Sequence, residues 1–280
     1  MSQAISPELR EWLVAQLAAG HSVPALRVSM HAAGWQDAAV DAALAQLEAG
    51  FPDVQAALAP VRTEMPGPDL DGAPLYLDAG DRRVQVLQTL RHPRVVVFGN
   101  LLSGEECEAL IATARVRLAR SLTVETRTGG EVLNVDRTSD GMFFERGENE
   151  IVARLEQRIA MLLRWPLEFG EGLQILRYEP GAQYRPHYDY FDPGEPGTPT
   201  ILKRGGQRVA TLVMYLQEPE GGGATTFPDV GLEVAPVRGT GVFFSYDRPD
   251  PVTRTLHGGA PVLAGEKWVA TKWLREREFK

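Results

Sequence analysis

Over the first fifty residues apolar positions recur at helical spacing, and after residue 170 they fall in short runs cut by Gly and Pro. The first pattern predicts helices. Leu9, Trp12, Leu13, Gln16 and Leu17 follow Ser6-Pro7, a capping serine before a proline suited to the first helical position, and Gly20 ends the run. Leu26, Val28 and Met30 lie on a second helix that begins at Pro24 and stops at Gly34. Val40, Leu44 and Leu47 lie on a third, which Asp37 caps and Gly50 closes. Residues 1–50 therefore read as a small three-helix bundle. Pro52, Pro60, Pro66, Pro68 and Pro74 mark residues 51–80 as a linker, and residues 81–280 as the main domain.

In the main domain, Val84–Leu87 and Arg94–Phe98 are rich in strand-forming residues. Ser103 and Glu106 form a capping box ahead of a helix with Cys107, Leu110, Ile111 and Ala114 on its apolar face. Residues 126–141 read as a mobile surface loop. Asn149–Leu163 has helical spacing in Ile151, Val152, Leu155, Ile159 and Leu162, and Trp165-Pro166 ends it. Eight short runs follow, at 173–178, 187–191, 208–216, 223–228, 232–237, 241–246, 254–262 and 267–275. With no helical pattern between them they predict two sheets folded as a jelly roll, core about 170–276. The class is α+β. Such a barrel opens between its sheets, a natural place for a small ligand.

Charge narrows the partners. Lys and Arg number 29 against 37 Asp and Glu, a net −8, which argues against a nucleic-acid binder relying on phosphate neutralisation. The single cysteine, Cys107, rules out an internal disulfide. No basic leader precedes an apolar run, and no apolar stretch nears the ~20 residues of a membrane span. A soluble, cytoplasmic protein without a membrane partner is the expectation.

The candidate chemistry lies in Tyr184-Arg185-Pro186-His187-Tyr188-Asp189-Tyr190 and in Leu256-His257-Gly258. On a strand, residues two apart face the same side, so His187 and Asp189 converge if 187–191 is extended. His257 falls in the seventh predicted run, which a jelly roll can bring beside the second. Two His and one carboxylate on one face of a metal, with the remaining positions open, form the facial triad of non-haem Fe(II) oxygenases. His21 and His31 have no acid or thiol at ligand spacing and read as surface or capping residues.

Further motifs sharpen this. Arg137-Thr138-Ser139, Glu171-Gly172-Leu173-Gln174, Tyr184 through Phe191, Gly206 through Thr211, Met214-Tyr215-Leu216, Phe227-Pro228, Leu256-His257 and Gly265 through Trp273 occur in this order. In them the chain resembles the catalytic domain of prolyl 4-hydroxylases, which are Fe(II)- and 2-oxoglutarate-dependent dioxygenases. The resemblance covers about half the chain and omits residues 1–80, whose three helices resemble a ubiquitin-associated unit instead.

The resemblance implies that His187, Asp189 and His257 hold iron. It implies that Lys267, Tyr178 and Thr225 bind the far carboxylate of 2-oxoglutarate. Arg137, Tyr184, Arg208 and Trp273 match positions of the family's peptide groove. Fe(II), 2-oxoglutarate, O₂ and ascorbate are the implied cofactors, and a peptide or protein the implied substrate. One departure is Gly222-Gly223-Ala224-Thr225, where the family often has a glutamate in place of Ala224. The Pro/Gly-rich loop at 192–207 suits a lid over substrate. Two alternatives stand beside prolyl hydroxylation. One is a hydroxylase of a free amino acid or other small metabolite; the other is a non-catalytic protein that docks partners through the helical bundle.

Overall fold

The computed structural model describes residues 9, 12, 13, 16, 23–50, 65–120, 122–124, 131–133 and 138–280. The chain divides into two units, residues 1–62 with 250–252, and the remainder.

In the first unit the regular apolar spacing forms helices α1 (Val23–Ala32) and α2 (Asp37–Gly50). Leu13, Leu26, Met30, Val40, Ala43 and Leu44 are buried together, with Leu9 packed against them. Leu26 and Met30 are one turn apart and share a face. Val28 sits between them on the opposite side and is exposed, so it does not belong to the apolar stripe. The expected first helix lies largely outside the described residues; Leu9, Trp12, Leu13 and Gln16 are helical.

The second unit opens with β1 (Tyr76–Asp78), β2 (Arg83–Leu90) and β3 (Arg94–Gly99), then α3 (Gly104–Arg115). Ser103 and Glu106 make the reciprocal capping bonds on α3 that their spacing predicts. Next come β4 (Ala119–Arg120), β5 (Leu122–Val124), β6 (Glu131–Leu133), β7 (Asp140–Phe144) and α4 (Glu150–Leu163). Then follow β8 (Leu173–Tyr178), β9 (Tyr184–His187), the single turn α5 (Thr198–Ile201) and β10 (Arg208–Gln217). The chain ends with β11 (Gly221–Gly222), β12 (Thr225–Phe227), β13 (Leu232–Val234), β14 (Gly241–Ser245), β15 (His257–Gly259), β16 (Val262–Ala264) and β17 (Lys267–Arg275).

Nine strands form an antiparallel sheet in the order β1-β2-β3-β14-β10-β17-β8-β7-β4, and four form a second in the order β13-β12-β15-β9. Alternation along the strands divides the larger sheet's side chains between two cores. Leu212, Met214, Ala270 and Ile175 join Leu110, Leu155 and Ile159 of the helices. Tyr215, Val269, Leu176 and Phe244 join Phe227 and Val234 of the smaller sheet. Helices cover one face and the second sheet the other, which is the expected α+β jelly roll with supporting helices. No helix among the described residues is long and apolar enough to cross a membrane.

Three expectations need correction. The proline-rich stretch is folded from Met65 onward rather than a linker to residue 80: Pro66 and Pro68 are buried, the Gly67 N–H donates to the Leu163 carbonyl (2.7 Å), and β1 pairs with β2. Proline gives up few donors, so such a segment can lie against a core. The loop expected at 126–141 includes β6, paired with β5, and the start of β7. The strand expected at 187–191 is instead Tyr184–His187, and the chain bends immediately afterwards.

Candidate active site

β9 and β15 are neighbours, and their register sets His187 directly opposite His257. The two imidazole centroids are 4.4 Å apart. Asp189 lies beyond the end of β9, in the bend. Its convergence with His187 therefore comes from the turn of the chain, not from strand alternation. His187, Asp189 and His257 each offer a ligand atom, all within 4.8 Å of one another.

The nitrogens are oriented by the backbone. His187 Nδ1 lies 2.9 Å from the Arg185 carbonyl and His257 Nδ1 3.0 Å from the Thr255 carbonyl. A carbonyl can only accept, so each Nδ1 carries the proton and each Nε2 presents a lone pair. His187 Nε2 is 3.6 Å from Asp189 Oδ1, and His257 Nε2 is 3.4 Å from Asp189 Oδ2. Lone pairs of this kind repel unless a cation sits among them, and an N₂O donor set suits ferrous iron. Burial pushes His257 down to about 4, so it is neutral at physiological pH. Burial opposes ionisation of Asp189, but where His257 and His187 carry a second proton their charge outweighs it and holds the carboxyl well below the usual range. Two neutral imidazoles and a carboxylate are the ligating forms.

A cleft of about 50 Å³ is lined by these residues together with Leu176, Tyr178, Thr225, Val269, Trp273 and Lys267. At that size a peptide must lie across its mouth. Lys267 opens β17 and faces Tyr178 of β8 in register. It is 3 % exposed, and its ammonium lies 5.3 Å from the Tyr178 ring and 5.8 Å from the Tyr215 ring. No carboxylate among the described residues pairs with it. Burial pulls it down to about 8. A buried ammonium without a counter-charge is costly in a folded protein, and a ligand carboxylate removes that cost. Thr225 accepts a hydrogen bond from the Tyr215 hydroxyl at 2.8 Å. That leaves the Thr225 proton free to donate.

The four expected substrate residues have different placements. Arg137 lies outside the described residues; its neighbour Thr138 bonds to Gln183, just before β9. Tyr184 stacks on His187 with centroids 3.6 Å apart, and Trp273 lines the cleft. Arg208 does not line it. Its guanidinium forms a buried two-pronged bond with Glu171 (2.6 and 2.9 Å), over the Trp273 ring at 4.0 Å. Arg275 shares the same carboxylate at 2.7 Å. The structure thus commits Arg208 to a buried ion pair beneath Trp273. The loop at 192–207 is tethered by Gln207, which bonds both backbone groups of Phe191 (2.8 and 2.7 Å), and it buries Thr198 and Ile201.

Two residues at the site escape a reading of the sequence alone. Thr211 donates to Asp189 Oδ2 at 2.7 Å, and Tyr215 bonds Thr225. Both lie in quoted motifs, but their partners are distant in sequence and only the fold brings them together.

The signature of the 2OG-Fe(II) oxygenase superfamily matches residues 173–275. Prolyl 4-hydroxylase 5 of Arabidopsis thaliana is 41% identical over 222 residues, covering 72% of this chain and 74% of that protein. Prolyl 4-hydroxylase 1 of the same plant is 44% identical over 204 residues, covering 66% and 70%. Among solved structures, the 2OG complex of the viral collagen prolyl hydroxylase vCPH from Paramecium Bursaria Chlorella virus-1 is similar with a TM-score of 0.49 and 32% identity, over 65% of this chain and 95% of that one. With such identity along most of the plant relatives' length, the chain belongs to the prolyl 4-hydroxylase family of Fe(II)- and 2-oxoglutarate-dependent dioxygenases.

Proposed function

We propose that this dioxygenase hydroxylates a prolyl residue within a peptide or protein, releasing succinate and CO₂. The observation that carries the reading is the pairing of two features in one narrow cleft. His187, Asp189 and His257 converge in it, and the buried Lys267, with no carboxylate partner among the described residues, lines the same cleft. That arrangement fits a small dicarboxylate with one end on the metal and the other on the lysine.

His187, Asp189 and His257 would hold the iron. When bound, the ferrous ion would activate O₂, with 2-oxoglutarate giving up two electrons as it becomes succinate and CO₂, so that the other oxygen atom could enter an unactivated C–H bond. The protein binds, orients and excludes water. Lys267 neutralises the far carboxylate, and Thr225, positioned by Tyr215, donates to it. Tyr178 supports Lys267 from the paired strand. Tyr184 and Trp273 wall the cleft with aromatic surface suited to a prolyl ring.

The remaining assignments belong to the same proposal. Ascorbate keeps the iron ferrous. The first unit, with Trp12, Val28 and Trp35 exposed, docks a protein partner. A lone cysteine is in keeping with the cytoplasm.

The test is to admit O₂ to anaerobic enzyme, Fe(II), 2-oxoglutarate and a panel of proline-containing peptides. The expected result is succinate in step with one added oxygen atom on proline. Succinate with free proline but with no peptide would instead support the small-metabolite alternative.

A further inference from the structure

One oxygen of the Asp189 carboxylate is already engaged. Thr211, fully buried on β10, donates its hydroxyl to Oδ2 at 2.7 Å. The Tyr246 hydroxyl lies 3.1 Å from the same threonine oxygen. A carboxylate can only accept, so the Thr211 proton points at Asp189 and the Tyr246 proton points at Thr211. The relay has one direction, from Tyr246 through Thr211 to Oδ2. Oδ2 also lies 3.4 Å from His257 Nε2.

Oδ1 differs. Its near neighbour is His187 Nε2 at 3.6 Å, whose ring carries its proton on the other nitrogen. No donor among the described residues bonds Oδ1, so its lone pairs remain available. Thr211 is well suited to hold this asymmetry. It is β-branched, with few rotamers, and its strand is paired on both sides, Thr211 facing Phe244 and Trp273.

We propose that Thr211, backed by Tyr246, restricts Asp189 to one-oxygen ligation of the metal and so keeps a coordination position open. A carboxylate can bind a cation through one oxygen or both. Two imidazoles with a two-oxygen carboxylate would occupy a fourth position and leave two, too few for a chelating 2-oxoglutarate and O₂ together. A hydrogen bond to Oδ2 withdraws a lone pair and fixes the plane of the carboxylate. Thr211 is thus a positioning residue that acts through Asp189.

The inference rests on the iron centre, and Co(II) is the probe. Co(II) and 2-oxoglutarate affinities and the visible absorption of the bound Co(II) are measured for the full-length wild type, Thr211→Val, Thr211→Ser and Tyr246→Phe. Binding of both by the wild type establishes the centre, independently of the variants. Thr211→Val is expected to keep Co(II) yet weaken 2-oxoglutarate by about 10–100-fold, because the freed Oδ2 competes with it for the metal; losing a ligand's hydrogen-bond partner has effects of this size on metal affinity or activity. Its Co(II) spectrum before 2-oxoglutarate addition should change shape, reporting altered coordination. Thr211→Ser restores the hydroxyl and should lie within about threefold of wild type, with Tyr246→Phe between the two. Should Thr211→Val not fold, the order of Thr211→Ser and Tyr246→Phe still decides. The proposal is overturned if Thr211→Val binds 2-oxoglutarate as wild type does, if Co(II) and 2-oxoglutarate affinities fall together, or if Thr211→Ser is as impaired as Thr211→Val or more so than Tyr246→Phe.

Discussion

The two sheets that enclose the cleft contribute to it differently. The nine-stranded sheet supplies the co-substrate end from long strands: β10 has ten residues and β17 nine, and Lys267 meets Tyr178 in regular register. The four-stranded sheet supplies the metal end from short strands: β9 has four residues and β15 three, with a register shift just after His257. Asp189 lies past the end of β9 altogether. Long paired strands hold a buried cation in place against its tendency to reach water. Short strands release the chain early enough to turn a carboxylate back toward two imidazoles. Rigidity serves the first task and a well-placed ending the second.

Four experiments would break or sharpen that contrast. The largest effect is expected at the metal end: His257→Ala should reduce succinate release to background while the fold, held mainly by the larger sheet, persists in circular dichroism. Loss of the fold would show that the small sheet is structural as well.

At the other end, Lys267→Met should weaken 2-oxoglutarate binding by about two to three orders of magnitude, as expected from removing one partner of a buried ion pair. The same change should stabilise the ligand-free protein by about 1–3 kcal/mol, because a buried ammonium with no carboxylate partner among the described residues is gone. Opposite signs in calorimetric binding and urea unfolding are the signature; a loss of both would mean that Lys267 has a structural partner.

Glu171→Ala should cost about 3–5 kcal/mol, since it strands Arg208 and Arg275 in the interior. Urea unfolding measures this. A small stability loss with a large rise in KM for peptide would return Arg208 to the substrate groove.

The smallest effect is in pH. Lys267 in the free protein loses its proton above about 8, whereas a bound dianion requires it. The dissociation constant for 2-oxoglutarate should therefore rise with pH above about 8, by at most about tenfold per unit. Because burial depresses this lysine below its ordinary 10.5, its destabilising share is full below about 8 and fades as pH rises toward 10.5. Lys267→Met should abolish both trends.

The long strands are legible in the chain because each is a sustained run rich in apolar, β-branched and aromatic residues: 173–178, 208–216 and 267–275 match β8, β10 and β17 within a residue. Edge elements were not. β1 is three residues beside prolines, and β16 is three residues of which the expected run 254–262 reaches only Val262. Their pairing depends on a neighbour rather than on their own composition. At the site, His-x-Asp and the later histidine were visible as spacing, but Asp189 converges through a bend that alternation does not describe. Arg208 illustrates the converse. A motif gave it a place near substrate, while its partner Glu171, 37 residues earlier, absorbs its charge. Thr211 and Tyr215 act through hydroxyl contacts that only tertiary structure creates.

The central claim is that three side chains from the smaller sheet and the bend after it grip one ferrous ion. Anaerobic titration of Fe(II) into the wild-type protein and into His187→Ala, Asp189→Ala and His257→Ala tests it most directly. The account predicts one tightly bound ion per wild-type chain and loss of that binding in each variant. Absence of uptake by the wild type, or uptake unchanged in the three variants, would contradict it.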